Sequence, residues 1–260
     1  MLIKNIRFFA IILFASLQYL LFIHNAFASD IFKPLHPKKE VAWQFDGVFG
    51  KFDRASIRRG YKVYKEVCAA CHSLNRIAFR NLTEIGFSTK EAEALAAGYN
   101  IIDGPNDIGE MFDRPGALAD HFVKPYPNSE AARASNHGAL PPDLSLIIKA
   151  RHDGANYVYS LLTGYKGTEP DSGGLYENPY FITGKLAMTP PLADGIVSYD
   201  DKTPQTLSNY AYDVVNFLQW TASPEMEHRK KIGYKVFIVL IVLFIFCVIA
   251  KKKVWDDAGK

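Results

Sequence analysis

Cysteine is scarce in this chain, with three in 260 residues. Cys68 and Cys71 lie within one five-residue stretch and Cys247 sits in an uninterrupted apolar run. If Cys68 and Cys71 are both consumed in other bonds, no structural disulfide remains possible without Cys247, and a zinc site would need two further ligands, usually a second Cys/His pair. Methionine is nearly as rare at four. No internal repeat and no low-complexity tract is present, which excludes a solenoid.

What is there is concentrated. Cys68-Ala69-Ala70-Cys71-His72 has the C-x-x-C-H spacing at which a chain attaches haem through two sulfurs and ligates its iron by the histidine. On a helix, residues i and i+3 share a face and i+4 follows beside them, so both thiols and the imidazole can meet one macrocycle. Ile57, Tyr61, Tyr64, Val67 and Cys71 repeat at helical spacing with no strand signal beside them, unlike a thioredoxin-type dithiol. The expectation is one covalently bound haem c.

Both ends carry membrane signals. Lys4 and Arg7 precede the apolar run Phe8 to Ile23, and Ala26-Phe27-Ala28 is a small-residue cleavage site, so residues 1–28 read as a signal peptide. Val236 to Ala250 is uninterrupted hydrocarbon, and adding Ile232 to Lys235 gives about the 20 residues that span a bilayer. Lys251-Lys252-Lys253 stops the run and Trp255 anchors it at the interface. Positive charge flanks both ends, so the cleaved signal decides the orientation. The expected organisation is an exported c-type haem domain over 29–231, a transmembrane helix over 232–250 and a cytoplasmic tail over 251–260. For a bacterium this places the haem domain in the periplasm, anchored by a single pass to the inner membrane.

The exported body reads as mainly α, a cytochrome c-like haem domain with long loop insertions. Asp53 caps a first helix that carries the haem motif at its end, and Ser88-x-x-Glu91 is a capping box for a second over 89–97, closed by Gly98. A third is expected after Pro142-Asp143 through Leu144, Ile147 and Ile148, and a short one from Asn156 to Leu162, stopped by Gly164. The last soluble helix is expected to start at Thr203-Pro204, with Leu207, Ala211, Val214 and Leu218 as its inner stripe. Loops fill Gly98 to Pro142 and Gly164 to Asp201. Charge is uneven: Lys33 to Arg80 holds eleven Lys/Arg against four Asp/Glu, and Asn81 to His228 nine against twenty. That imbalance reads either as a solvated surface or as an acidic docking face for a basic partner.

The second axial ligand is open on the residues alone. Met1 leaves with the signal, and Met226 abuts the membrane segment as a poor core candidate, which leaves Met111 and Met188. Met188 sits in an apolar loop stiffened by Pro190 and Pro191, useful because a neutral thioether is a weak ligand that the fold must hold. His121, His137 and His152 are rivals.

At this point the chain resembles one family, cytochrome c₁, the haem subunit of the ubiquinol:cytochrome c oxidoreductase (cytochrome bc₁) complex. The likeness runs from about Trp43 to Trp255. It rests on Phe52 to Gly60, Val67 to Ser73, Asp103-Gly104-Pro105-Asn106, Gly109 to Phe112 with Arg114-Pro115-Gly116, Lys124 to Asn128, Gly138 to Ser145, Tyr157 to Tyr165 and Ala187 to Pro191. The resemblance implies that Cys68 and Cys71 hold the haem, with His72 the proximal and Met188 the distal iron ligand. It also implies that Arg151 and Tyr157 contact the haem propionates, that Asn136, Pro141 and Pro142 line the pocket, and that Met111 belongs to a packing segment. It implies an electron carrier, not an enzyme on its own and with no catalytic residues. Its implied partners are cytochrome b and the Rieske iron-sulfur protein in one dimeric complex, a soluble or tethered cytochrome c, and the lipid bilayer. Nucleic acid is not expected. Two departures stand out: Ala97-Gly98-Tyr99-Asn100-Ile101 replaces glutamates of animal relatives, and Lys166 to Gly174 lacks a cysteine pair found in some.

Overall fold

Asp53 fixes where the first helix begins. Its carboxylate accepts from the backbone N–H of Ala55 at 2.9 Å and of Ser56 at 3.1 Å, and α1 runs Arg54–Glu66. The computed structural model describes residues 38–258; the signal peptide expected over 1–28 lies outside them. Ile57, Tyr61 and Tyr64 repeat at helical spacing and are all buried. Their face meets α5 (Leu207–Ala222), whose Phe217 ring lies 5.8 Å from Tyr61 and 5.6 Å from Tyr64.

The two helices touch at Gly60. A Cβ there would lie 2.0 Å from the carbonyl oxygen of Asp213 on α5, so no larger residue fits. The Asp213 carboxylate beside it is buried, and buried charge needs partners. It accepts from Ser56 Oγ at 2.6 Å, Arg59 Nε at 2.8 Å and Tyr199 Oη at 2.8 Å. Burial alone would lower the Arg59 pKa, but its bonds to Asp213 and Asp201 outweigh this and raise it.

The capping box of Ser88 and Glu91 opens α2 (Thr89–Ala97) as expected. Other boundaries differ. Leu144 to Ala150 forms turns, not a helix, because Asp143 spends its carboxylate on Ser73, Asn75 and Ser145 while the Leu144 N–H donates to the Ser73 carbonyl. α4 (Gly154–Leu162) begins two residues early, on an Asp153 in left-handed conformation (φ 55°). α5 is capped by Thr206, not Thr203, whose N–H is taken by Asp201.

The long loops contain structure of their own. Antiparallel β1 (Asn100–Asp103) and β2 (Phe112–Pro115) form a hairpin, α3 (Ser129–Ser135) follows, and β3 (Tyr176–Glu177) pairs with β4 (Lys185–Leu186). A 3₁₀ segment over Phe79–Ile85 buries Phe79, Leu82 and Ile85.

α6 (Met226–Ala258) is continuous, with no break at the domain boundaries expected at 231 and 250. Among the described residues it is the one helix long and apolar enough to cross a membrane, and its apolar window is unburied. Its first turn belongs to the domain below. Met226, expected to be a poor core candidate, is 4% exposed, because Glu227 in the same turn docks onto α1 by accepting from the Phe52 N–H at 2.7 Å and Arg54 Nη2 at 2.6 Å.

The charge asymmetry is partly internal. Lys38, Arg54, Arg58, Arg59 and Lys62 of the basic stretch pair with Asp153, Glu227, Glu91, Asp201 with Asp213, and Asp200 of the acidic one.

Candidate functional site

The C-x-x-C-H motif lies just past the end of α1, not on it. Val67 leaves helical geometry and Cys68–Ala70 forms one 3₁₀ turn. The N–H groups of Cys71 and His72 both donate to the Cys68 carbonyl, at 3.1 and 2.9 Å, so the sulfurs and the imidazole issue from one closed turn. All three side chains line a single cavity of about 660 Å³, within the range of sites that enclose a small cofactor.

His72 is fixed through its ring. Nδ1 lies 2.8 Å from the Pro142 carbonyl oxygen, which can only accept, so Nδ1 carries the proton and Nε2 keeps its lone pair. Burial lowers the His72 pKa, partly opposed by that hydrogen bond, and the ring is neutral at physiological pH. The Tyr64 hydroxyl donates to the His72 carbonyl at 3.2 Å. Ser73 Oγ and the Asn75 N–H donate to Asp143 at 2.9 and 2.8 Å, lacing the histidine strand to the segment that supplies Pro142.

Met188 lines the same cavity. Its backbone carbonyl accepts from the Tyr165 hydroxyl at 2.9 Å, and Pro190 and Pro191 stiffen the chain beyond it. Met111 is elsewhere, 59% exposed in the β1–β2 connection, rather than packed as the resemblance implied. Of the rival histidines, His121 bridges Ala78 on the domain surface and His152 lies 3.1 Å from Lys38 Nζ. His137 lines the cavity but is exposed, in left-handed conformation (φ 51°).

Asn136, Pro141, Pro142, Arg151 and Tyr157 also line this cavity, so the structure gathers all nine expected residues. Asn136 ends α3, and its side-chain N–H donates to the Ala132 carbonyl at 2.6 Å and to the Tyr126 hydroxyl at 3.1 Å. Tyr126 in turn reaches Cys71 Sγ at 3.9 Å. Sequence reasoning assigned Tyr126 no role, and its aromatic-hydroxyl type alone could not have done so. Burial raises the Tyr157 pKa, and Arg151 opposes this by charge and hydrogen bond.

The donor set fits a covalently held haem. Two thiols three residues apart in the chain line the cavity, one imidazole has a free Nε2, one thioether lies in the same apolar cavity, and a guanidinium is available for carboxylates. Burial and the neighbouring Cys71 push the Cys68 thiol up to about 12, opposite to the activated thiolate of a dithiol oxidoreductase. Among the described residues no cluster of three or more His, Cys, Asp and Glu could hold a metal ion by itself.

Residues 43–258 match the model of a family described as the Cytochrome C1 family. The chain is 48% identical over 241 residues to "Cytochrome b/c1" of Bradyrhizobium diazoefficiens, covering 83% of this chain and 35% of that protein. It thus spans about a third of that relative's length. It is 48% identical over 222 residues to "Cytochrome c1 1, heme protein, mitochondrial" of Arabidopsis thaliana, covering 84% and 72%. With "Cytochrome b-c1 complex catalytic subunit, mitochondrial" of Candida albicans it shares 50% identity over 226 residues, covering 85% and 78%.

Proposed function

Because the chain belongs to the cytochrome c₁ family, we propose that it is the haem-bearing electron-transfer subunit of a cytochrome bc₁ complex. It accepts electrons from the Rieske iron-sulfur protein and passes them to a soluble or tethered cytochrome c. The observation that carries this reading is the gathering of Cys68, Cys71, His72 and Met188 on one apolar cavity.

Bound there, haem c supplies a one-electron couple at its iron. The chain's own residues do the rest. Cys68 and Cys71 would hold the macrocycle covalently, and the Nδ1–H of His72, donated to Pro142, fixes the tautomer that leaves Nε2 for the iron. Met188 adds a neutral thioether, a ligand pair that raises the potential. Arg151 and Tyr157 would satisfy propionate oxygens within the largely apolar walls. No bond is made or broken in substrate, so the subunit is not an enzyme by itself.

The apolar helix supports anchoring by a single pass. The haem domain then lies in the periplasm and residues 251–260 in the cytoplasm, the orientation that the N-terminal export signal would set. Cytochrome b and the Rieske protein are its partners within a dimeric complex. The test is gentle purification from membranes. The chain should keep its haem through acidic organic extraction and bring a b-type cytochrome and an iron-sulfur protein with it; extractable haem, or isolation alone, would contradict the reading.

A further inference from the structure

Polar residues, Gly and Pro dominate the tips of tight turns because they tolerate turn geometry and water. One turn breaks that rule. Gly47 (φ 70°) opens a tight turn that closes with the Gly50 N–H on the Gly47 carbonyl at 3.4 Å, and its two central residues are Val48 and Phe49. They are 68% and 79% exposed, while Phe45 and Phe52 on either side are buried. Among the described residues only the Tyr234 ring is an aromatic neighbour of Phe49, and both side chains stay largely exposed.

The turn is bolted to the foot of α6. Lys230 Nζ donates to the Phe45 carbonyl at 2.5 Å and to the Gly50 carbonyl at 3.3 Å, holding both legs of the turn. One helical turn further on, the Tyr234 ring lies 6.3 Å from the Phe49 ring. Tyr234 stands immediately before Lys235 and the apolar run from Val236. From Tyr234 to Trp255 is twenty-one residues, about 32 Å at the helical rise per residue and close to the ~30 Å of a bilayer's hydrocarbon core. Two amphipathic aromatics at that separation mark the two interfaces. Phe49, touching Tyr234, sits at the level of one of them. Lys51, two residues beyond Phe49, and Lys231 and Lys235, which flank Tyr234 in sequence, are exposed, as ammonium groups that meet lipid phosphates would be.

We propose that the Val48-Phe49 turn is a second membrane contact, dipping its two side chains into the headgroup–acyl boundary beside α6. This rests on α6 spanning the bilayer. The occupant is lipid because the exposed apolar tip stands against Tyr234 at the start of the apolar span, with exposed lysines close by in the chain at Lys51, Lys231 and Lys235. The contact gives the haem domain a second point on the membrane plane. It therefore sets the tilt of the domain, which a single helix would leave free to swivel.

The test uses the full haem-loaded chain in vesicles of phosphatidylcholine with phosphatidylglycerol, and also in native membranes. A photoreactive p-benzoylphenylalanine replaces Phe49, or Val242 within the helix, or Asp107 on the β1–β2 connection. Lipid adducts at 49 and 242 with none at 107 are expected. Adducts at 242 without any at 49 would overturn the proposal and leave the span intact, whereas none at either position would remove the span as well. A cross-link from 49 to another subunit in native membranes would overturn it in favour of a protein neighbour. Lipid adducts at 107 too would overturn it by showing that the reagent itself seeks lipid.

Discussion

His72 Nδ1 and the Pro142 carbonyl oxygen lie 2.8 Å apart, and the residue after Pro142 holds that distance. Asp143 is laced to Ser73, Asn75 and Ser145, so histidine and acceptor belong to one hydrogen-bonded unit. Burial would raise the Asp143 pKa, yet those donors outweigh it and the pKa is lowered. A depressed carboxyl contributes stability that is complete above its unfolded pKa of about 4 and lost as pH falls through the folded value. Asp143→Asn should therefore cost about 2 kcal/mol at neutral pH. Denaturant titrations of both proteins should show that difference shrinking as the medium is acidified below the usual carboxylate range. A difference that stays flat would contradict it.

Gly60→Ala places a methyl group 2.0 Å from the Asp213 carbonyl oxygen and 2.8 Å from the Phe217 Cβ, neither of them the flexible end of a side chain. The α1–α5 contact must open, at a cost of about 3 kcal/mol. Thermal unfolding of the haem-loaded protein should register it as a lower midpoint, and an unchanged midpoint would show that the helices can separate freely.

Local signals in the sequence were legible where the structure uses them locally. Asp53 and the Ser88–Glu91 box bond within their own helix starts, and both starts were read correctly. Thr203 offers an equally good cap, but its N–H goes to Asp201 two residues earlier and the helix waits for Thr206, whose side chain accepts from the Asn209 N–H, so two equivalent local signals compete and the sequence does not rank them. Asp143 looked like a helix cap and instead ties together two segments about seventy residues apart. At the site, the cysteines and histidine announce themselves by spacing. Met188 could be separated from Met111 only by resemblance until the fold put Met188 on the cavity and Met111 in solvent. Tyr126 lies in a segment that carries the resemblance, but its role there, a reach to Cys71, is created only by the folded chain.

The foot of α6 belongs to the haem domain, so where the chain is cut matters. A form ending at Tyr234 keeps Met226, Glu227 and the Lys230 clamp and should be a soluble, exported, haem-bearing domain. One ending at Ser223 exposes the surface that Met226 covers and frees the Phe52 N–H, and should be less stable by about 2 kcal/mol. Equal stability of the two would show that α6 contributes nothing to the domain.

Acidic residues on this domain divide into two kinds. Glu91 pairs with Arg58, and Asp103 with Arg114, so reversing either charge should lower stability. Asp107, Glu110 and Asp113 are exposed with no side-chain partner among the described residues. If a basic cytochrome c is steered by charge, its bimolecular rate should fall with salt, since exposed charges are screened within about 8 Å at physiological ionic strength. Reversing these three together should flatten that dependence without changing the haem spectrum. A salt-independent rate in the unaltered protein would favour a tethered partner.

The most direct test of the whole account is Met188→Leu in the haem-loaded protein, read by redox titration alongside the oxidised absorption spectrum. Covalent haem should remain, because Cys68, Cys71 and His72 are untouched. The Met-to-iron charge-transfer band at the red end of the spectrum should vanish, and the potential should fall substantially as the thioether is lost. If band and potential both survive the substitution, Met188 does not ligate the iron and the cavity is not the His/Met site described.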